Sequence, residues 1–348
     1  MLVWVALLLG CPSDTDSNDT EDTDDTDVGV YGLDARPTNV ACHDLDPNAL
    51  PERLSATGCV DPLDPSQPGE ALVPFSVASP LWSDGAVKER YVALPDGAAL
   101  TVGADGDLSL PDGGVLAKWF HVDGELVEVR LIGRAGDSYA TASWRWDAAL
   151  GDGVLAPDGA VVEVGDLSWE IPSRYACSSC HTSAAGTSLG LELAQIQEDL
   201  AYPSGVTASQ VATLEHIGFL TSTVDVEPLV DPHGDADLDA RARSYLHTNC
   251  SGCHRPGGGT PFPMDLRATT ALADTQACDV APAQSFGIED ARRIAPGASD
   301  RSTVHHRMVT PDVRMPYLGT AVVDQDGAAV VAAWIDGLVD CGATAGAR

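Results

Sequence analysis

Apolar positions change their spacing along the chain. Between Leu72 and Pro172 they come in short runs that alternate with polar residues, punctuated by Asp-Gly at 84–85, 96–97, 105–106, 112–113, 123–124, 152–153 and 158–159. Asp-Gly readily takes the positive φ that tight hairpins need, so strands are expected between these turns. The clearest hairpin is Trp119-Phe120-His121-Val122, then Asp123-Gly124, then Leu126, Glu128, Arg130 and Ile132 in alternation. Tyr139 to Trp146 and Trp169-Glu170-Ile171 add further strands. The pattern predicts an antiparallel sandwich or curved sheet over 72–172, with Trp82, Trp119, Trp144, Trp146 and Trp169 assigned to its core.

Further on the spacing becomes helical. Leu238, Ala242, Tyr245 and Leu246 fall at i, i+4, i+7 and i+8, which predicts a helix over 237–249. A second helix is expected over Ser299 to Met308, capped by Ser299. A third starts near Asp324 or Asp326 and buries Val330, Val331, Trp334, Ile335 and Leu338, with Tyr245 and Trp334 meeting where the first and last helices cross. Before these, Leu189 to Leu200 is apolar, and Thr207-x-x-Gln210 is a capping-box pattern opening a helix that ends near Phe219-Leu220. The expected class is therefore α+β: an antiparallel β-rich N-terminal domain followed by a mainly α-helical region.

The chain opens on an apolar run, MLVWVALLLGC, too short for the roughly 20 residues of a membrane span. Leu8-Leu9-Gly10-Cys11 resembles the lipobox of bacterial lipoproteins, which implies a signal peptide over 1–10 and lipid on the Cys11 sulfur. Residues 12–27, PSDTDSNDTEDTDDTD, hold eight carboxylates and no cation, so 11–30 reads as a solvated tether. Export and a lipid anchor follow as expectations, at the outer membrane of a Gram-negative bacterium and facing the periplasm or cell surface.

Charge narrows the partners. Against 52 Asp and Glu stand 19 Lys and Arg, a formal net charge of −33. A field of that sign repels nucleic acid and favours proteins with basic docking surfaces.

The chemistry lies in two C-x-x-C-H motifs, Cys177-Ser178-Ser179-Cys180-His181 and Cys250-Ser251-Gly252-Cys253-His254. This is the attachment motif for c-type haem. Two thiols three positions apart on a helical turn can add to the two vinyl groups of one porphyrin, and the following His then ligates the iron. Zinc is the rival, but a zinc ribbon would bring its two CxxC pairs closer in sequence. A redox dithiol would need a βαβ context that the pattern lacks.

Arg314-Met315-Pro316 lies in the loop before the last helix. The arrangement around the second motif resembles a class I cytochrome c domain, which implies Met315 as the sixth ligand of the second iron, with Met264 and Met308 as alternatives. The sixth ligand of the first iron stays open between His216 and His121, with His247 and His305-His306 behind them, or the site is five-coordinate.

More widely, the chain resembles an uncharacterised family of exported dihaem c-type cytochromes with a β-rich N-terminal half. The matching segments are Ser79-Pro80-Leu81-Trp82-Ser83-Asp84, Lys88-Glu89-Arg90-Tyr91, Leu94-Pro95-Asp96-Gly97, Lys118-Trp119-Phe120, Ile171-Pro172, Leu189-Gly190-Leu191, and Arg314-Met315-Pro316-Tyr317-Leu318-Gly319 beside the second CxxCH. The resemblance spans about 50 to 340 and departs at Trp82, where the family usually has Phe, and at Ser178-Ser179. It implies two covalently attached haems, the first held within 173–235 and the second in a class I cytochrome c domain over 236–345.

Nine cysteines then divide as Cys11 for lipid, four for haem and four for two disulfides. Cys42 with Cys59 would staple the loop region over 31–71, and Cys278 with Cys341 would tie the second haem's loop to the chain end. The expected function is single-electron transfer. A peroxidase-like enzyme with an open first haem is the alternative, and a β-domain binding module fed by the haems is a third.

Overall fold

Six antiparallel strands frame the N-terminal half of the chain in the computed structural model, which describes residues 29–38, 41–43 and 45–344. The expected signal peptide, Cys11 and nearly all of the tether lie outside the described residues. The elements are β1 (Val73–Phe75), β2 (Val87–Ala93), β3 (Thr101–Val102), β4 (Leu108–Ser109), β5 (Val115–Val122), β6 (Glu125–Ala135), β7 (Ser138–Asp147), β8 (Asp152–Leu155), β9 (Ala160–Val164) and β10 (Leu167–Ile171). Then come α1 (Arg174–Cys177), β11 (Asp199–Ala201), β12 (Thr207–Ser209), α2 (Gln210–His216), α3 (Leu238–Cys250), α4 (Thr303–Val309), α5 (Gln325–Gly337), β13 (Leu338–Asp340) and β14 (Ala343–Thr344). The main sheet runs β1-β2-β5-β6-β7-β8, and β3–β4, β9–β10, β11–β12 and β13–β14 are two-stranded hairpins.

Strand alternation gives this sheet two unlike faces. Ala117, Trp119, Val129, Leu131, Ala142 and Trp144 pack with Leu54 and the Cys42–Cys59 disulfide under the 45–71 segment. Trp119 Nε1 donates to Ser66 O and Trp144 Nε1 to Pro51 O, so each buried indole has its partner. On the opposite face Val92, Leu116 and Ile132 join Leu191, Ile196, Leu214 and Phe219 from the following segment. Phe120 on that face packs instead with Trp169 and Ile171 of β10. Between these two apolar patches the face carries Lys88, Arg90, Lys118, Glu128 and Arg130. Of the tryptophans expected in the core, Trp119, Trp144 and Trp169 are buried, whereas Trp82 and Trp146 are half-exposed.

The expectation of a mainly α-helical second region is overturned. The chain is mostly antiparallel β, and the described residues hold five α-helices, of which only α3 and α5 reach 13 residues. Between α3 and α4 the sequence is punctuated by Pro256, Gly257, Gly258, Gly259, Pro261, Pro263, Pro282, Gly287, Pro296 and Gly297, and Gln276, Asp279, Phe286 and Asp290 take positive φ there. Proline removes a helical donor and positive φ breaks the helical path, so irregular backbone wins.

Local boundaries follow from caps. Asp237 caps α3 by accepting from Asp239 N, and Asp324 caps α5 by accepting from Gly327 N. The Thr207-x-x-Gln210 pattern is displaced by strand β12, and Ser209 is the residue that caps α2. Ser299 opens a 3-10 turn ahead of α4, not the helix itself. The first and last long helices do cross, but Tyr245 lies against Gly327, where an added Cβ would stand 2.1 Å from the ring, and Trp334 Nε1 donates to Asp239.

Candidate functional site

Both CxxCH segments wind the same way. Ser173 Oγ accepts from Ala176 N and starts α1, and Cys177 O then accepts from Cys180 N and His181 N at 3.3 and 3.0 Å. At the end of α3, Cys250 O accepts from Cys253 N and His254 N at 3.2 and 2.9 Å. This turn places the two thiols of each motif on one side and the His directly after them. All four thiols are free and partly buried, whereas the Cys42–Cys59 and Cys278–Cys341 disulfides are formed.

The two motifs abut. Cys253 Sγ lies 3.7 Å from Cys180 Sγ and 3.3 Å from Ser179 O. Glycines permit this approach: a Cβ on Gly259 would stand 2.9 Å from Ser179 O, and one on Gly258 2.2 Å from Cys253 O. The hydrogen bond between Cys180 and Cys253 raises the Cys180 thiol and lowers Cys253 to about 7.

One cavity of about 520 Å³ with mostly apolar walls is lined by Cys177, Cys180, His181, Cys250, Cys253, His254 and Met315 together. That volume falls in the range of about 300–1,000 Å³ typical of cofactor sites. His181 Nδ1 lies 2.6 Å from Thr187 O, so Nδ1–H donates to the carbonyl and Nε2 keeps its lone pair. Burial, the largest influence, lowers the His181 pKa to about 4, which keeps the ring neutral as a ligand must be. His254 Nδ1 is buried with no hydrogen-bond partner, and burial lowers that ring's pKa too. Among the described residues no group of three or more His, Cys, Asp or Glu is gathered as a metal site. A covalently attached porphyrin needs only paired thiols, a neutral His and an apolar cleft. The residues present fit it.

Met315 reaches the cavity through a clamped loop. Its N–H donates to Arg307 O at 2.8 Å, and Arg314 donates to the Thr320 and Ala321 carbonyls. Asp84 accepts from Ala321 N and Val322 N, while Trp82 Nε1 donates to Val322 O and Trp82 N to Asn249 Oδ1. The Ser79–Asp84 segment thus ties the Met315 loop to α3. Met264 and Met308 also line the cavity, with Met308 buried among α4 and α5 side chains.

The other candidates are placed elsewhere. His216 stacks on Tyr31 with ring centroids 3.9 Å apart, its Nε2 bonds Asp34 O, and it does not line the cavity. His121 sits at the β5–β6 bulge, and neither His lines the cavity. His305 and His306 lie on α4 outside the lining, with His306 against Phe286. His247 does line it, but its Nδ1 accepts from Ala268 N and its Nε2 donates to Glu192 at 3.2 Å.

Sequence reasoning missed two groups. Glu192 and His247 continue to Asp107, which Arg255 holds by an ion pair at 3.1 Å; burial and the adjacent Glu192 push the Asp107 carboxyl up to about 6. The second is the band of cations on β2, β5 and β6. Arg130 grips the fully buried Glu128 at 2.5 and 2.9 Å, and Trp169 Nε1 donates to the same carboxylate. The alternation of Leu126, Glu128, Arg130 and Ile132 put Glu128 and Arg130 on the same strand face as Ile132, which is the signal the sequence held.

No family model, curated protein or solved structure matches the chain.

Proposed function

We propose that the chain is a dihaem c-type cytochrome that passes single electrons between redox partners. The observation that carries this reading is the meeting of two CxxCH turns at one apolar cavity, with Cys180 Sγ and Cys253 Sγ 3.7 Å apart. Cys177 and Cys180 would hold one haem with His181 as its axial ligand, and Cys250 and Cys253 the other with His254 and Met315. Haem so held supplies an iron that takes up and gives back one electron.

The chain's own groups support that task. Thr187 O fixes the His181 tautomer, and the Arg314 and Asp84 contacts hold the Met315 loop. Most of the cavity wall is apolar. Attachment points in contact bring the two redox sites within one molecule, so an electron can enter at one and leave at the other. The surplus of acidic residues favours transient docking of basic partners. A lipid on Cys11 would keep the chain at a membrane outside the cytoplasm; no helix among the described residues is long and apolar enough to cross one.

Absorption and EPR spectra of the purified holoprotein test this. Two low-spin haems, reduced by one electron each and inert to peroxide, are expected. A second reading has one specific observation behind it: His216 and His121 both lie outside the cavity, which leaves the first iron without either as a sixth ligand. A high-spin first haem with peroxide turnover would replace electron transfer by peroxidase-like catalysis.

A further inference from the structure

Arg90, Lys118 and Arg130 stand in one cross-strand row. Register pairs Arg90 of β2 with Lys118 of β5, and Lys118 with Arg130 of β6. Lys88 follows two positions from Arg90 on the same face. Like charges directly opposite one another destabilise a sheet, and this chain has only 19 Lys and Arg to place among its 348 residues.

Compensation within the protein is incomplete. Glu128 is the carboxylate in contact with the row, and Arg130 and Trp169 already occupy it. Arg90 donates to a backbone oxygen, Lys88 O, and Lys88 to Leu81 O at 2.5 Å, and Lys118 Nζ lies 5.9 Å from the Phe120 ring. Burial first, and then Arg90, Arg130 and Lys88 around it, hold the Lys118 amine well below its ordinary pKa. Three cations side by side with one carboxylate already taken up leave room for an anion.

Arg90, Lys118 and Arg130 all line the cavity that Cys177, Cys180 and His181 also line. Arg174 of α1, the helix that ends at Cys177, donates to Thr141 O of β7 beside β6, so the sheet and the first motif are neighbours. The apolar patches on either side of the row leave the cations facing that space. A porphyrin attached through its vinyl edge presents two carboxylates at its opposite edge, and charge-assisted bonds from Arg and Lys are the strong way to hold them.

We propose that the Arg90–Lys118–Arg130 row is a carboxylate seat that receives the two propionates of the haem attached at Cys177 and Cys180. This rests on the cytochrome reading above. It gives the β sheet a role: between the apolar patches of one face, the row supplies the counter-charge of the first haem.

The test uses holoprotein carrying Lys118→Met, Arg90→Gln or Lys118→Arg, with covalent haem counted first and the potential of each haem then measured by spectroelectrochemistry. Lys118→Met keeps a linear apolar stem and removes the amine. Removing a cation beside a propionate stabilises the oxidised iron, so Lys118→Met and Arg90→Gln should each lower the potential of one haem and leave the other unmoved. Lys118→Arg should restore it, and the Raman propionate-bending band should move with the potential.

Succinate separates bound propionate from a free carboxylate solute. The wild-type holoprotein should ignore it, because the seat is filled; succinate binding that Lys118→Met abolishes would overturn the proposal. Conversion of a low-spin haem to high spin in Lys118→Met would also overturn it, by making Lys118 an iron ligand. Two haems with unmoved potentials in both Lys118→Met and Arg90→Gln would overturn this proposal alone. Absence of covalent haem from the wild type would overturn the cytochrome reading with it.

Discussion

Cys180 Sγ and Cys253 Sγ lie 3.7 Å apart although 73 positions separate them in sequence. The contact is built by backbone: Gly259 passes over Ser179 O, and Cys253 Sγ lies 3.3 Å from the same oxygen. On the proposed cytochrome reading, two CxxCH motifs that touch would make one redox unit of what the sequence presents as two segments. The cavity they share extends to the β5–β6 sheet on one side and the Met315 loop on another.

Gly258 should be the least replaceable residue near the second motif. An added Cβ would stand 2.2 Å from Cys253 O and 3.0 Å from Arg255 O, both backbone atoms that cannot rotate away. Gly258→Ala is expected to cost about 1–3 kcal/mol and to reduce haem attachment at Cys250 and Cys253. Chemical denaturation and a haem-to-protein ratio check this.

Asp84 holds the Met315 loop through Ala321 N and Val322 N. Its backbone takes a positive φ of 50°, which Asn tolerates better than Ala. Asp84→Ala should therefore cost about 2 kcal/mol, and Asp84→Asn less. The methionine-to-iron charge-transfer band of the holoprotein should weaken in the same order.

The Cys278–Cys341 disulfide closes a separation of 63 residues, against 17 for Cys42–Cys59. Loop-closure entropy predicts that replacing the first pair by Ser costs about 4 kcal/mol and the second about 3 kcal/mol. Thermal unfolding of the two double variants measures the difference.

How much of this was legible before the structure depends on the range of the signal. The α3 and α5 caps and the CxxCH turns are local and lie where the spacing put them, whereas of the seven Asp-Gly sites only 105–106 and 123–124 join paired strands, and Asp152-Gly153 lies within β8. The helical second region failed because i, i+4 spacing identifies individual helices but says nothing of the Pro- and Gly-rich stretches between them. His216 looked available as a ligand because α2 was visible while Tyr31, its stacking partner, lies 185 positions earlier. The Arg90–Lys118–Arg130 row was invisible for the same reason: three strands must be in register before the cations line up.

Asp107 gives the chain a pH dependence. Its proton leaves near 6 in the folded state and near the ordinary 3.8 when unfolded, for reasons of burial and of Glu192 beside it. Between those values the folded state binds more protons, so the stabilisation is complete below about pH 4 and is lost as pH rises through about 6. Glu192, Asp105, Arg255 and Arg267 share that neighbourhood. Asp107→Asn should flatten the decline, worth on the order of 1–2 kcal/mol after allowance for its partly exposed position. Unfolding midpoints from pH 4 to 7 report it.

The intact mass of the mature chain, produced in cells that attach haem to CxxCH and then denatured, tests the central claim most directly. Two covalently added haems are predicted, falling to one in Cys177→Ala/Cys180→Ala and to one in Cys250→Ala/Cys253→Ala. A mass equal to that of the polypeptide alone, with or without zinc under native conditions, would contradict the account.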